Sequence, residues 1–479
     1  MKRITVASVA FVALSLFISM APAVPNQPPV DTPQKLTIDN FVAIVLSQGD
    51  RALTAFNTFE NATLSSKVSY RQTRLPQLSA TSSFNAARED VSSVVTRNKS
   101  ATGATVLSQP VYPLGGDLSL RMEKTESQAG INDWTGVDPT YSAALTQPVP
   151  LFVGNTKWRA WRRSSIAYAL AQESYRREVQ SIEKEARSKY FDVLLQLKTL
   201  DVEKAKLESS QRMHNIVEAM VDAGRYAGIE LARSKTRLQT DRRRIENATT
   251  SLKQSINDAL SFASLKIGSS ADFVSSINFV PLRMSVDRLT EFALNHRPDY
   301  LAAQRQLELS ELTVRETLEQ NNPNINMSAS YSRSAALSDA TKIITRNWTG
   351  GLNLSWLLFD SRIVYLEAKA ARNNLINDRI ALRNLERNIR NEVANAYLGI
   401  KTYESQFSDL EESRDLARQN VEVVRTRYQN GRDRLVDVFD SENELRSIEL
   451  EYLGALISAS KAKDSLELTI GGRLAEVAQ

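Results

Sequence analysis

Cysteine is absent from the 479-residue sequence, and His214 and His296 are the only histidines. Without a thiol the chain has no disulfide framework, no thiolate metal site, no cysteine nucleophile and no acceptor for a lipid anchor at a processed N-terminus. No Ser/His/Asp set, metal-ligand cluster or phosphate-binding loop is visible in the sequence either. The sequence therefore predicts no catalytic residues, no metal site and no cofactor.

Aromatic residues are scarce, at 7% of the chain, although 42% of the residues are hydrophobic. Such a chain has material for a large ordered structure but few of the rings that fill globular cores. The 60 Lys and Arg nearly balance the 55 Asp and Glu, and the two signs are interleaved as on solvated helix faces. The net charge of +5 thus gives little support to nucleic-acid binding, and no nucleic-acid partner is expected.

A long hydrophobic run occurs only near the N-terminus. Two basic residues precede the apolar run over 4–20, and the small-x-small sequence Ala21-Pro22-Ala23 follows it. This order predicts a secretory signal peptide over 1–23, and an uncleaved membrane anchor is the alternative. A Pro-rich linker over 24–35 comes next. Because an exported chain without other apolar helices can enter a membrane only as a closed β-barrel, membrane-spanning strands are expected further along.

Behind the linker the sequence repeats itself. We predict a first repeat over 36–268, an inter-repeat segment over 269–284 and a second repeat over 285–479. Each repeat begins with polar helical stretches and continues into alternating, Ser- and Asn-rich segments that predict strands over about 76–150 and about 323–358.

The first repeat carries some 38 extra residues between Arg121 and Trp158. Within them the segment Leu107-Ser-Gln-Pro-Val111 recurs as Leu145-Thr-Gln-Pro-Val149. The recurrence predicts a second hairpin, which gives four strands in the first repeat and two in the second. A surface loop or an inner flap outside the barrel is the alternative.

Two prolines close these recurring segments. Pro110 and Pro148 are predicted to end the descending strands and to turn the chain into the helices, since a missing backbone donor is tolerated there.

Two long stretches contain no proline and almost no glycine. Residues 159–223 contain neither, and residues 361–430 contain only Gly399. Both stretches carry apolar seams with three- and four-residue spacing, which predicts long coiled-coil helices. The seams are Ile182, Ala186, Tyr190, Val193, Leu197 and Leu200 in the first helix, and Leu382, Leu385, Ile389, Val393, Ala396 and Ile400 in the second.

Each long helix is predicted to return through a short turn. Gly224-Arg-Tyr-Ala-Gly-Ile-Glu230 matches Gly431-Arg-Asp-Arg-Leu-Val-Asp437 without a gap. The chain is therefore expected to contain two helical hairpins with similar tips.

The duplicated strands and helical hairpins, the signal peptide and the Gly-x-x-x-x-x-Asp-Val-x-Asp tip together resemble the TolC-like outer-membrane efflux protein family. The resemblance spans nearly everything after the linker, and it is specific through the order and duplication of its motifs. It implies a mixed α+β membrane protein in which three chains share one transmembrane β-barrel and their hairpins form a periplasmic barrel of helices. The family has two strand pairs per chain, so six strands imply a wider barrel. One chain alone also offers too few strands to close a barrel.

The resemblance implies a passive exit duct in the outer membrane of a Gram-negative bacterium, within a tripartite efflux or type I secretion system. The implied partners are two further copies in a homotrimer, outer-membrane lipid, a periplasmic adaptor and an inner-membrane pump of the RND, ABC or MFS type. A structural envelope coiled coil would explain the helices but leaves the strands unexplained. A diffusion porin would explain the strands but leaves most of the helices without a purpose.

The resemblance assigns a periplasmic gate to one tip. Asp437 and Asp440 match the family's paired tip aspartates, and threefold symmetry would converge them into a ring of carboxylates that favours cations. Solvated helix-face charges are the alternative. Tyr428 matches a tyrosine that helps to hold the closed tip, but its usual arginine partner is Asp433 here. The neighbouring Arg432 and Arg434 are the candidates to replace that arginine.

The same resemblance assigns adaptor docking to the turns at both tips. The residues concerned are Gly224, Arg225, Tyr226, Gly228, Glu230 and Gly431. Near the second strand pair, Trp348, Trp356 and Phe359 are interpreted as membrane-interface aromatics, with ordinary strand packing as the alternative.

Overall fold

The structure is a computed structural model of the full chain. It describes residues 35–91, 94–112, 114–129, 135–136, 138–149, 155–225, 227–266, 272–274, 281–338 and 341–477. The predicted signal peptide and the linker up to residue 34 lie outside the described residues. The chain divides into a strand unit, with residues 60–170 and 305–379, and a helical unit, with residues 28–59, 171–304 and 380–479.

The strand unit contains one large antiparallel sheet with the order β2-β3-β4-β6-β8-β9, and β5 pairs with β4 beside this path. In chain order the strands are β1 Lys35–Leu36, β2 Gln77–Val91, β3 Val94–Val111, β4 Gly116–Ala129, β5 Thr135–Gly136, β6 Asp138–Val149, β7 Asp272–Phe273, β8 Asn324–Ser338 and β9 Thr341–Ser355. The short strands β1 and β7 form a separate parallel pair in the helical unit.

The second hairpin predicted for the first repeat is present. β4 pairs with β3 on one side and with β6 on the other, and β6 pairs in turn with β8. The extra segment therefore adds two strands to the sheet, and its alternative placement as a surface loop is wrong.

Both copies of the recurring motif have the same local structure. The side-chain amides of Gln109 and Gln147 donate to the carbonyl oxygens of Pro110 and Pro148 at 2.8 and 2.9 Å.

The predicted strand–helix junction at Pro110 is wrong. Pro110 lies opposite Asp117, and β3 turns back into β4 through Gly115, which has φ +82°. Because the second hairpin follows β3, no helix begins there. Pro148 is the next-to-last residue of β6, the last strand before the first long helix. Both prolines thus lie at a strand end, where the missing N–H costs little pairing.

The helices include the two long ones predicted from the lack of glycine and proline. In chain order they are α1 Ile38–Gln48, α2 Asp50–Arg74, α3 Thr156–Asp222, α4 Gly228–Phe262, α5 Val286–His296, α6 Pro298–Glu319, α7 Ile363–Gln429, α8 Leu435–Ile470 and α9 Leu474–Val477. The long helices α3 and α7 have 67 residues each. Among the described helices, none combines the length and the apolar character needed to cross a membrane.

The aligned starts of the two repeats have the same capped structure. The hydroxyl of Thr37 accepts the backbone N–H of Asn40 at 3.3 Å, and the hydroxyl of Ser285 accepts that of Arg288 at 3.5 Å. Such N-caps satisfy amides that have no partner within the helix. Each cap begins a helix of 11 residues, α1 or α5.

Two apolar clusters pack the helical unit around the predicted seams. In the first, Ile182 and Tyr190 of α3 lie with Phe41 of α1, and in the second, Ile389 of α7 lies with Leu289 of α5. None of the twelve seam residues is exposed. The seams therefore form helix-packing surfaces, as their spacing predicted.

Candidate functional site

The large sheet has one apolar face. Residues that pair directly across neighbouring strands point to the same side. One such row crosses the whole sheet through Leu78, Leu107, Leu120, Ala143, Tyr331 and Trp348. Leu78 is 71% exposed and Trp348 79% exposed, although both are large and apolar. This face thus carries an open apolar surface of the kind that marks a contact with lipid or another apolar partner.

The opposite face of the same sheet is polar. The row displaced by one residue passes through Ser79, Val106, Arg121, Ser142, Ser332 and Asn347. Arg121 pairs with Glu123 on this face at 2.9 Å. A sheet with one apolar and one polar face can separate lipid from water, which is the pattern of membrane strands around an aqueous interior.

Charged residues bound the apolar face towards the hairpin loops. Arg333 of β8 lies directly opposite Arg346 of β9, two positions beyond Tyr331 and Trp348. The rings of Tyr331 and Trp348 are 4.5 Å apart between centroids. Aromatic and cationic side chains next to an apolar band are typical of the edge of a membrane-spanning region.

The other predicted interface aromatics lie beyond the end of β9. Trp356 is 55% exposed and Phe359 is 82% exposed, and the indole N–H of Trp356 donates to the carbonyl oxygen of Asn321 at 3.1 Å. Their placement at a membrane interface stays a prediction.

Both hairpin tips end in the same helix-termination motif. At the first tip, Gly224 N–H donates to the Val221 carbonyl and Arg225 N–H to the Met220 carbonyl, both at 2.9 Å. At the second tip, Gly431 N–H donates to the Tyr428 carbonyl and Arg432 N–H to the Arg427 carbonyl, again at 2.9 Å. This is the Schellman motif, which places a left-handed residue just after the helix.

The backbone conformation at both tips favours glycine. Gly224 has φ +69° and Gly431 has φ +71°, and a Cβ added at either would meet no atom within 4 Å.

We expect Gly431→Val to lower the free energy of unfolding by about 2 kcal/mol and Gly431→Asn by a few tenths, because asparagine tolerates this region and a β-branched residue does not. The midpoints of denaturant unfolding measure both losses. The same two substitutions at Gly224 repeat the test at the other tip. Equal losses for Val and Asn would show that φ is not the cause.

The predicted gate aspartates lie at the start of α8. The Asp437 carboxylate accepts the backbone N–H of Arg434 at 2.9 Å and lies 3.5 Å from its guanidinium. Asp437 therefore caps its own helix and stabilises its positive end. Asp440 lies one turn further along α8 and is exposed. Because they are three residues apart, the two carboxylates share one face of α8.

Tyr428, the predicted closing residue, lies inside the hairpin. Its side chain is completely buried in a cluster with Met213, Val217, Leu435 and Val438. The tyrosine is thus part of the packing between α3, α7 and α8 within one chain. A role in holding a closed tip stays a prediction.

The remaining predicted tip residues are found at the turns or outside the described residues. Arg432 and Arg434 are exposed, and Asp433 is half-buried. Gly224, Arg225 and Gly228 are exposed, and Glu230 pairs with Arg233 at 2.9 Å. Tyr226 lies outside the described residues.

A buried charge network, which was not among the residues predicted from the sequence, lies behind the tips. Lys206 of α3 and Glu442 of α8 form an ion pair whose side chains are only 4% and 3% exposed. The Glu442 carboxylate also accepts from the Ser209 hydroxyl at 2.8 Å and from the Arg425 guanidinium at 3.0 Å. Burial alone would raise the pKa of Glu442, but the Lys206 ammonium and these hydrogen bonds outweigh it and hold the pKa below its ordinary value.

The network continues into α4. The Asp241 carboxylate is buried, accepts from the Ser210 hydroxyl at 2.6 Å and lies 3.3 Å from the guanidinium groups of both Arg237 and Arg244. Burial lowers the pKa of Lys206, and the positive charge of Arg237 adds to that effect, while Glu442 opposes it. All four helices of the two hairpins thus contribute charged groups to one buried layer.

A signal for this layer exists in the sequence. The α3 seam continues past Leu200 through Glu203, Lys206, Ser210, Met213 and Val217, at the same three- and four-residue spacing, and all of these side chains are buried. Polar residues at seam positions are the mark of a buried polar layer in packed helices.

Residues 289–472 match a profile described as Outer membrane efflux protein. The match covers most of the second predicted repeat, 184 of the 479 residues. The resemblance seen in the sequence is thereby confirmed, and the efflux-protein domain covers β8, β9, α7 and α8, including the tip with Asp437 and Asp440. Members of the family are outer-membrane channels, which supports an outer-membrane efflux channel as the general function of this chain. No curated protein matches the sequence.

Solved bacterial outer-membrane proteins share the fold of the efflux-protein domain and of the chain around it. The CmeC outer membrane channel of Campylobacter jejuni is 14% identical, with 91% of this chain and 85% of that chain covered and a TM-score of 0.68. VceC of Vibrio cholerae is 13% identical, with 91% and 96% covered and a TM-score of 0.68. The open-state MtrE outer membrane channel of Neisseria gonorrhoeae is 15% identical, with 91% and 89% covered and a TM-score of 0.66. At these identities the likeness concerns the fold alone.

Proposed function

We propose that this chain forms, as a homotrimer, the outer-membrane exit duct of a tripartite efflux or type I secretion system. The duct is a passive conduit. An inner-membrane pump drives the substrate, and a periplasmic adaptor connects the pump to the helical tips. The observation that carries the proposal is the two-faced sheet, because an open apolar row and a polar row on the same strands suit a wall between lipid and an aqueous channel.

The strand lengths support a membrane-spanning role. A tilted strand needs about 9–11 residues to cross the hydrocarbon core. The shortest of the six strands along the main path of the sheet, β6, has 12 residues and the longest, β3, has 18. Each is therefore long enough to cross and to project beyond the bilayer.

The tips support a role as a docking and gating surface. Beside the first tip a shallow groove is lined by Ile229, Arg233, Thr236 and Phe439, and Ile229 is 58% exposed. An exposed apolar side chain within a polar rim fits a protein partner such as the adaptor. The Asp437 and Asp440 carboxylates on one face of α8 are the candidates for a cation-favouring constriction.

The proposed function is tested by single-channel recording of the purified, detergent-extracted protein in a planar bilayer. We expect a small, cation-selective and mostly closed conductance, with the selectivity read from the reversal potential in a salt gradient. A large, permanently open and unselective conductance would favour a diffusion pore instead. A folded sample that never conducts would contradict the channel.

Neutralising both tip aspartates should weaken cation selectivity. In Asp437→Asn with Asp440→Asn we expect the reversal potential to move towards zero while trimers persist, because the proposed carboxylate ring loses its charge. Asp433→Asn is the matched control, since it removes a carboxylate from the same tip but not from the shared face of α8. An unchanged reversal potential in the double variant would remove these aspartates from the pore. An equal shift in the control would assign the selectivity to general tip charge.

A further inference from the structure

The large sheet has two open edges. Over the residues that the structure describes, β2 pairs only with β3 and β9 pairs only with β8. Both edge strands are 15 residues long. Each presents a row of unpaired backbone N–H and C=O groups, which cannot remain unsatisfied within a lipid bilayer.

The edges carry few of the features with which proteins usually protect a free strand. β2 contains no proline or lysine, and its charged residues Arg88, Glu89 and Asp90 all lie next to the hairpin loop, while β9 contains no proline and only Lys342 and Arg346 as charged residues. Soluble proteins blunt an exposed edge with such residues or cover it with another element. These edges are therefore suited to pairing with a further strand.

A second copy of the chain supplies a fitting strand. The six strands along the main path alternate in direction, so β2 of one copy beside β9 of another continues the antiparallel order without a break. The apolar row begins with Leu78 on β2 and ends with Trp348 on β9, while the polar row begins with Ser79 and ends with Asn347. Both faces therefore continue from one copy into the next.

The inserted hairpin has the same two faces as the rest of the sheet. On β4, Leu118, Leu120 and Met122 alternate with Ser119 and Arg121. A hairpin that packed outside the barrel would not need one apolar face for lipid and one polar face for water. The pattern indicates that β4 and β6 are barrel strands.

We propose that β2 of one copy pairs with β9 of the next, so that three copies of six strands close a barrel of eighteen strands. The number three rests on the homotrimer of the proposed function. With strands ~4.8 Å apart and tilted by ~40°, eighteen strands give a backbone radius of about 18 Å, against about 12 Å for the twelve strands that single hairpins in both repeats would supply. The enclosed cross-section is about 2.3 times larger. The polar face lines the wide aqueous lumen of this barrel, which does not constrict the exit path.

Cysteine cross-linking tests the pairing cleanly because the chain has no native cysteine. Ser83→Cys on the polar face of β2 is combined, one at a time, with Thr345→Cys, Asn347→Cys or Thr349→Cys on the polar face of β9. In the full-length protein we expect oxidation to give covalent trimers for at least one pair, visible on a non-reducing gel. Ser83→Cys with Leu352→Cys, which faces the other side of β9, is the matched control and should give none. Failure of all three pairs in intact trimers would overturn the proposal.

Deletion of residues 108–145 tests the strand number. The deletion joins Leu107 to Thr146, restores the Leu-Thr-Gln-Pro-Val sequence and leaves four strands per chain. Electron cryo-microscopy of both trimers in nanodiscs counts the strands in cross-section, and we expect eighteen in the full chain and twelve in the deletion variant.

The two proposals fail in different ways. Twelve strands in a conducting full-length trimer would overturn the wide barrel and leave the exit duct standing. The absence of both trimers and conductance would overturn the proposed function as well.

Discussion

Glu442→Ala is expected to lower the free energy of unfolding by about 3–5 kcal/mol. The Glu442 carboxylate is the shared acceptor of the Lys206 ammonium, the Arg425 guanidinium and the Ser209 hydroxyl. Its removal leaves the buried Lys206 ammonium without its partner, and an uncompensated charge in a packed helical layer is costly. The midpoint of thermal or guanidinium unfolding of the detergent-solubilised protein measures the loss.

Two controls separate burial from charge pairing in general. Glu422 pairs with the same Arg425 at 3.1 Å, but its side chain is 71% exposed. We expect Glu422→Ala to cost less than about 1 kcal/mol, since water screens such a pair. The double variant Lys206→Met with Glu442→Met should recover most of the loss, because apolar residues of similar volume replace the pair. A loss in the double variant as large as in Glu442→Ala would assign the effect to packing and not to an unpaired charge.

The contribution of Asp464 on α8 to the stability of the helical unit is expected to rise as the pH falls from about 7 to about 4. Its side chain is 9% exposed and its Oδ1 atom lies 3.7 Å from the Arg187 guanidinium, beyond hydrogen-bond distance. Among the described residues, none donates a hydrogen bond to its buried Oδ2 atom. Burial raises the pKa of Asp464 to about 6, the Arg187 charge opposes the rise, and Glu467 and Glu183 add to it.

The sign of the effect follows from the two pKa values. The pKa of Asp464 is about 6 in the folded chain and ~3.9 in an unfolded one, so the folded state binds this proton more tightly. Ionisation of the carboxyl therefore costs stability above pH ~6, and the cost disappears as the pH falls through the interval between the two pKa values. A difference of about two pKa units corresponds to a maximum of about 3 kcal/mol.

Asp464→Asn tests this assignment through the pH dependence of the unfolding midpoint. We expect the variant to be more stable than the natural chain at pH 8 and to lose about half of this gain by pH ~5 and most of it by pH ~4. Asp192→Asn is the matched control, because Asp192 forms an ion pair with Lys461 at 2.6 Å but its side chain is 47% exposed. A pH profile that stays the same in Asp464→Asn would assign the dependence to another group.

Sequence alone determined the features that depend on short stretches of chain. The lack of glycine and proline together with the seams predicted α3 and α7, because helical periodicity is a property of neighbouring turns. The tip glycines followed from matched segments, and the structure gives both a positive φ. The alternation of polar and apolar residues predicted the strands of the second hairpin, since side chains on a strand alternate between its two faces.

The tertiary structure decided which distant segments meet. Only the strand pairing shows that β6 lies against β8, because their register depends on residues more than 150 positions apart. Likewise, the seam spacing of Lys206 marks a buried position, but its partner Glu442 lies 236 residues away on another helix. Local periodicity fixes which side of a helix is buried, whereas the ionic partner of a buried charge is fixed only when the helices pack.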